Sequence, residues 1–154
     1  MSVIALEPVD LADDDALAAY AAIHTATTPD DPESVENLRW ADGAYPGGVT
    51  RFLARLDGRR VGAASTGRVY VHPPEYERHW LTLRVLPEAR GRGVGAALFA
   101  EVSAAARSAG KSGFDTQISE TQVEGLRFLV RRGFVETSRM RLVVLDLRDA
   151  VERR

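Results

Sequence analysis

Apolar and polar positions set out most of the elements of this chain before any residue is asked about its chemistry. Residues 3–6 (Val3, Ile4, Ala5, Leu6) predict a first strand that Pro8 ends. Four carboxylates, Asp10, Asp13, Asp14 and Asp15, then sit where a helix N-terminus favours negative charge. Leu11, Leu17, Tyr20, Ala21 and His24 recur on one face of that helix. Residues 28–33 read as a turn, with Asp31 as N-cap and Pro32 at the first position of a second helix running to about Trp40. Tyr45, Pro46, Gly47 and Gly48 break the chain, and residues 50–56 alternate well enough for a strand. Asp57-Gly58 is the strongest short-range hairpin signal, so residues 60–70 return antiparallel, with Gly62 and Gly67 as bulge or bend positions. Residues 71–76 form a proline-stiffened loop in which His72, held extended before Pro73, is expected to be exposed.

The strand over residues 78–85 places His79, Leu81, Leu83 and Val85 on one face and feeds directly into Arg90-Gly91-Arg92-Gly93-Val94-Gly95. A helix follows, carrying Val94, Leu98, Val102, Ala105 and Ala109 at three- and four-residue spacing until Gly110 or Gly113 stops it. Residues 112–118 predict a further strand, residues 121–132 a helix capped by Gly133, residues 136–147 a long final strand, and residues 150–154 a polar tail. The glycine-rich loop organises the rest. Glycines at alternating positions permit positive φ and remove the Cβ atoms that would hold a ligand off the backbone. At the start of a helix the bare amides and the macrodipole make an anion site. Arg90 and Arg92 add guanidinium forks suited to phosphate oxygens.

Two better-known phosphate loops do not fit. A P-loop closes on Lys-Ser/Thr, whereas Gly95 is followed by Ala96 and Ala97. The dinucleotide fingerprint needs a third glycine that is out of register here. The R-x-x-G-x-G spacing of Arg90 to Gly95, behind the strand ending at Val85, instead resembles the acetyl-CoA pyrophosphate loop of the GNAT superfamily of N-acetyltransferases. The stretch from Gln122 to Phe134 is similar to that family's closing pattern N-x-x-A-x-x-F-Y-x-x-x-G-F. It departs at Gln122 for Asn, Gly125 for Ala and Leu129 for Tyr. The resemblance implies an α+β fold, a mostly antiparallel, splayed mixed sheet of six to seven strands with about four helices, formed by residues 1–154 as one domain. It further implies acetyl-CoA as co-substrate, held by Leu83, Val85, Arg90, Gly91, Arg92, Gly93, Gly95, Ala96 and Gln122. The acceptor-specificity region would then fall in residues 28–42, and a general base at the strand position of His79.

Composition narrows this little. The chain has 154 residues, 45% hydrophobic and 27% charged, with no apolar run near the length of a membrane span. Twenty basic against 22 acidic residues leave a net charge of −2, so no nucleic-acid or membrane partner is expected, while a homodimer stays open. Of the basic residues 19 are arginine and only Lys111 is lysine, so arginines carry weight by position alone. The lack of cysteine excludes thiolate metal sites and a cysteine nucleophile, and fits a reducing cytoplasm. With no leader-like start visible, a cytoplasmic location and no metal are expected.

Acetyl transfer to an amine needs the amine neutral. A lysine-like amine of pKa ~10.4 is neutral about once in 2,500 molecules at pH 7, a penalty of roughly 4.6 kcal/mol, against about 1 kcal/mol for an α-amine. His79, with an ordinary pKa near 6.5, suits the role of base, and a packing role for it is as well supported by sequence; Glu75 and Tyr76 are weaker candidates. Leu129 has no proton to give a departing thiolate. It therefore keeps a second reading open, a non-catalytic acyl-CoA-binding module, beside a third in which the loop holds some other phosphorylated ligand.

Overall fold

The computed structural model describes residues 2–148, so the expected tail at 150–154 lies outside the described residues. The elements are β1 (Ile4–Pro8), α1 (Asp14–Thr27), α2 (Val35–Ala44), β2 (Val49–Leu56), β3 (Arg59–Arg68), β4 (Arg78–Val85), α3 (Val94–Ser108), β5 (Gly113–Asp115) and α4 (Val123–Arg131). The sheet runs β1-β2-β3-β4-β5, antiparallel through β4 and parallel between β4 and β5. The described residues fall into two units, one through Thr116 and one from Gln117.

In the first unit the hairpin forms where expected. Asp57 and Gly58 both have positive φ (50° and 85°), the requirement of a type I′ turn, and Asp57 Oδ1 accepts the Val3 amide at 2.8 Å. The bulge lies beside Gly62: Ala54 pairs with Gly62 while Arg55 pairs with Arg60, leaving Val61 as the extra residue. Gly67 stays in regular register. Successive residues of β3 serve opposite faces. Ala63 joins Ala16, Leu17, Tyr20, Ala21, Ile23, Leu38 and Leu53 in the core under α1 and α2, whereas Gly62 faces α3. A Cβ at Gly62 would stand 2.9 Å from Leu98 Cδ1 and 3.0 Å from Val94 Cγ1, so the missing side chain lets the first turns of α3 lie against the sheet. Gly62→Ala is expected to cost about 1–3 kcal/mol by overpacking, read as a lowered midpoint in thermal unfolding. An unchanged midpoint would mean that α3 does not pack this closely.

The helix starts differ from the sequence expectation for a local reason. Asp13 caps α1, its side chain accepting the Ala16 amide at 3.0 Å, so Asp10 and Leu11 stay outside the helix, Leu11 exposed. Ser34 rather than Asp31 caps α2, accepting the Asn37 amide at 3.1 Å, because Thr25 Oγ1 takes the Glu33 amide at 3.0 Å and keeps the preceding residues in the loop. Helix α2 also runs past Trp40 to Ala44. A buried fork holds this layer to the sheet: Arg51 donates to both oxygens of Asp42 at 2.6 and 2.7 Å. Burial opposes the Arg51 charge, but the Asp42 bonds outweigh it and raise the pKa. On α3 the buried seam is Val94, Leu98, Val102 and Ala106, with Ala109 exposed rather than inside.

Among the described residues the strand count is five, not six to seven. The strand expected over 112–118 is confined to Gly113–Asp115, and residues 136–147 form none, since a strand exists only through its ladder and this segment has no pairing partner among the described residues. In the second unit α4 is strongly amphipathic, capped at its C-terminal end by the Gly133 amide on the Val130 carbonyl, with Gly133 at φ 90°. No helix among the described residues is long and apolar enough to cross a membrane.

Candidate active site

Strand β4 ends at Val85, a 3₁₀ turn at Pro87–Ala89 follows, and the chain enters α3 through two left-handed glycines, Gly91 (φ 75°) and Gly93 (φ 88°). Gly95 already lies inside the helix. The N-cap is Gly93 itself, so α3 lacks the side-chain cap that Asp13 and Ser34 give α1 and α2. The first amide of the run to find a backbone acceptor is Ala97, at 3.0 Å from the Gly93 carbonyl. The amides of Gly91, Arg92, Gly93, Val94, Gly95 and Ala96 therefore remain as donors at the positive end of a 15-residue helix. Arg90 turns back and its Nε donates to the Val85 carbonyl at 2.9 Å, which ties the loop to the end of β4. Arg92 is exposed. A phosphate or pyrophosphate matches this donor set, with Arg92 beside it.

Beyond the loop, β4 offers backbone. Its pairing with β5 covers only Arg78, His79 and Trp80, and Thr116 Oγ1 takes the Leu81 carbonyl at 2.8 Å. Past Leu81 the β5-side edge of β4 has no ladder partner among the described residues, so the main-chain groups of Leu83 and the Val85 amide are open to an extended ligand, while the Val85 carbonyl is held by Arg90.

His79 lies on the face of β4 that also carries Leu81, Leu83 and Val85, with its Nδ1 3.1 Å from Thr66 Oγ1 on β3. Burial, and secondly the charge of Lys111, lower its pKa, which favours the neutral ring at pH 7. When Nδ1 donates to Thr66, Nε2 carries the lone pair that a base needs. Glu75 is exposed in the loop before β4. Tyr76 is committed elsewhere: its hydroxyl donates to Asp115 Oδ2 at 2.6 Å and accepts from Arg78 Nε at 3.0 Å, and its ring stacks on His72 at 3.9 Å. The hydrogen bond to Asp115, then burial, raise the Tyr76 pKa against the opposing pull of Arg78. Lys111 Nζ fixes the same loop by donating to the carbonyls of Pro74 and Tyr76 at 2.8 and 2.9 Å.

The opposite face of β4 looks toward α1 and α2. Thr82 Oγ1 is 2.5 Å from Ser65 Oγ and 3.4 Å from Tyr20 Oη, while Arg84 reaches Thr28 Oγ1 in the loop between α1 and α2. Thr66, Lys111 and Arg84 were not legible as site residues in the sequence, because each acquires its role from strand register or a contact across the fold. The one available signal was the strand period, which puts Arg84 opposite the His79 face. Gln122 and Leu129 belong to the second unit, Gln122 as N-cap of α4 and Leu129 two residues before that helix ends. Among the described residues no group of His, Asp and Glu could hold a metal ion.

A family model described as the acetyltransferase (GNAT) family matches residues 11–134. The chain belongs to the GNAT acetyltransferase family. No curated protein matches it by sequence. Among solved structures, the aminoglycoside N-acetyltransferase AAC(6')-Iy in complex with CoA aligns with a TM-score of 0.72 at 19% identity, covering 94% of this chain and 96% of that one. YncA from Salmonella typhimurium, a putative acetyltransferase with its cofactor acetyl-CoA, gives 0.72 at 23% identity over 94% of this chain and 86% of that one. An acetyltransferase from Trypanosoma brucei gives 0.66 at 24% identity over 93% and 100%. This GNAT chain thus shares its fold with these proteins.

Proposed function

We propose that this GNAT acetyltransferase uses acetyl-CoA to acetylate a primary amine of a small molecule or peptide, by direct attack of the amine. The observation that carries the reading is the run of six unbonded amides from Gly91 to Ala96 at the start of α3. Acetyl-CoA, when bound, supplies a thioester carbonyl and a thiol leaving group. The Gly91–Ala96 amides and Arg92 would hold its pyrophosphate, and the open edge of β4 at Leu83 and Val85 its extended arm, with Gln122 assigned to the same site by the family pattern alone. His79 takes the proton of the attacking amine at Nε2, directly or through water, while Thr66 fixes the ring. The CoA and acetyl-CoA named with AAC(6')-Iy and YncA support the choice of co-substrate. Titrating the purified protein with acetyl-CoA, CoA and ATP, then following thiol release with an amine panel, tests the reading. Tighter binding of ATP than of CoA overturns it.

Leu129 favours a second reading, a non-catalytic acyl-CoA-binding module, because the family's tyrosine at this position would protonate the leaving thiolate. A thiol of pKa near 8.5 nevertheless leaves tolerably as a thiolate at neutral pH, and helix N-termini and arginines stabilise it. Leu129→Tyr is therefore expected to raise turnover several-fold in a thiol-release assay. If both proteins bind acetyl-CoA and neither releases thiol with any amine, the module reading replaces the enzyme.

A further inference from the structure

Of the arginines on the side of the sheet that α1 and α2 cover, Arg60 and Arg51 meet carboxylates of those helices and Arg84 does not: Arg60 donates to Asp15 of α1 at 2.8 Å. Arg51 is met by a carboxylate on α2, with both Asp42 oxygens in place. Arg84, half-buried on β4 and paired in register with Ala63 of that same core, has a single hydrogen bond, to the neutral hydroxyl of Thr28. The carboxylates nearest in charge, Asp31 and Glu33, make no hydrogen bond to it. Glu33 Oε1 takes the Ser34 amide at 3.0 Å and Asn37 Nδ2 at 2.7 Å, and Asp31 Oδ2 stands 4.0 Å from His24 Nε2. Burial lowers the Arg84 pKa, and Tyr20, Asp31 and Glu33 offset that only in part. A guanidinium has five N–H donors, and the only buried side-chain nitrogen or oxygen without a partner among the described residues is Arg68 Nε. Nε and Nη2 of Arg84 therefore each keep solvent-accessible surface.

We infer that Arg84 is the acceptor-recognition residue of this acetyltransferase and binds a carboxylate, so that the amine substrate is amino-acid-like, with its carboxylate on Arg84 and its amine at the open edge of β4 past Leu81. The inference rests on the acetyltransferase reading above. Arg84 immediately precedes Val85, the last residue of β4, and lies on the face away from α3 and its anion-binding start, so its fork is separated from the pyrophosphate donors by the sheet itself. Planar and bidentate, a guanidinium fits a carboxylate as Arg51 fits Asp42 in the same layer. Thr28 holds the fork from the loop between α1 and α2, so that loop and the recognition residue are one unit.

The test is a thiol-release panel of free amino acids and diamino acids, each beside its carboxamide, on the wild type, Arg84→Leu and Arg84→Lys, with acetyl-CoA affinity measured by calorimetry. Amidation lowers the pKa of the neighbouring amine and so favours the amide chemically; a preference for the acid therefore needs an anion-binding group. The wild type is expected to favour the acid about 10- to 100-fold in kcat/KM, the worth of one charge-assisted hydrogen-bonded pair. In Arg84→Leu the ratio falls toward one, and in Arg84→Lys, which keeps the charge without the fork, it falls part of the way. Should the leucine variant lose its helical circular dichroism, the lysine variant carries the test. Equal use of acid and amide by the wild type, an acid preference that survives both substitutions, or a loss of acetyl-CoA affinity matching the loss of turnover each overturns the assignment. If acetyl-CoA does not bind the wild type at all, the acetyltransferase reading itself has failed.

Discussion

Gly93→Val is expected to lower acetyl-CoA affinity by about 10²–10³-fold, the loss of one or two charge-assisted hydrogen bonds, in a chain that still folds. The position is unusual for an N-cap. That site ordinarily takes an extended residue whose side-chain oxygen satisfies an amide two or three residues on, as Ser34 and Asp13 do, whereas Gly93 stands at φ 88° with no side chain. A branched residue is strained there by roughly 1–2 kcal/mol and relieves it by swinging the loop toward ordinary backbone, which turns the amides of Gly93 and its neighbours off a common target. Contact within the protein is not the obstacle, since the nearest atom to an added Cβ is Ile4 Cδ1 at 3.6 Å. Calorimetric titration measures the loss and circular dichroism shows that the fold persists. Affinity equal to the wild type would remove the loop from the binding site.

What the sequence could disclose was local, and what it withheld depended on register. Arg90 to Gly95 advertised itself because turn conformation, charge and helix start are all written within a few consecutive residues, and Gly91 and Gly93 do take positive φ. Asp57-Gly58 was legible for the same reason. The capping of α2 was not: Asp31-Pro32 has the right chemistry, but Thr25, eight residues before Glu33, decides where the helix begins. Arg84 was silent because its meaning lies in what it lacks, a carboxylate that Arg51 has and it does not, and such an absence appears only once α2 is laid on the sheet. Residues 136–147 read as a strand from their β-branched and leucine content, yet a ladder requires a second strand that no local pattern can promise.

His79→Ala is expected to lower kcat/KM by about 10²–10⁴-fold and to erase the acid limb of the pH profile. The neutral ring is the active form, so activity rises with pH through the His79 pKa. Because burial and then Lys111 lower that pKa, the limb should lie below the ordinary histidine value near 6.5. The same displacement fixes the stability sign. The unfolded chain binds the proton more readily than the folded one, so His79 stabilises the fold least at low pH, and His79→Ala narrows the difference between acid and neutral conditions. Lys111 supplies an internal check, since it contributes to the shift while its ammonium donates to the carbonyls of Pro74 and Tyr76. Lys111→Met should move the acid limb upward toward 6.5 without removing it, whereas a packing histidine would leave the limb where it was in both variants. The substrate sets the size of the effect. An acceptor amine near pKa 10.4 needs proton removal worth about 4.6 kcal/mol at pH 7 and depends strongly on His79, while an α-amine needs about 1 kcal/mol and depends on it far less. An amino-acid amide or peptide attacked at its α-amine should therefore sit at the lower end of the range, and a diamino acid attacked at its side chain at the upper. A loss that is the same for both amines would return His79 to a structural role beside Thr66.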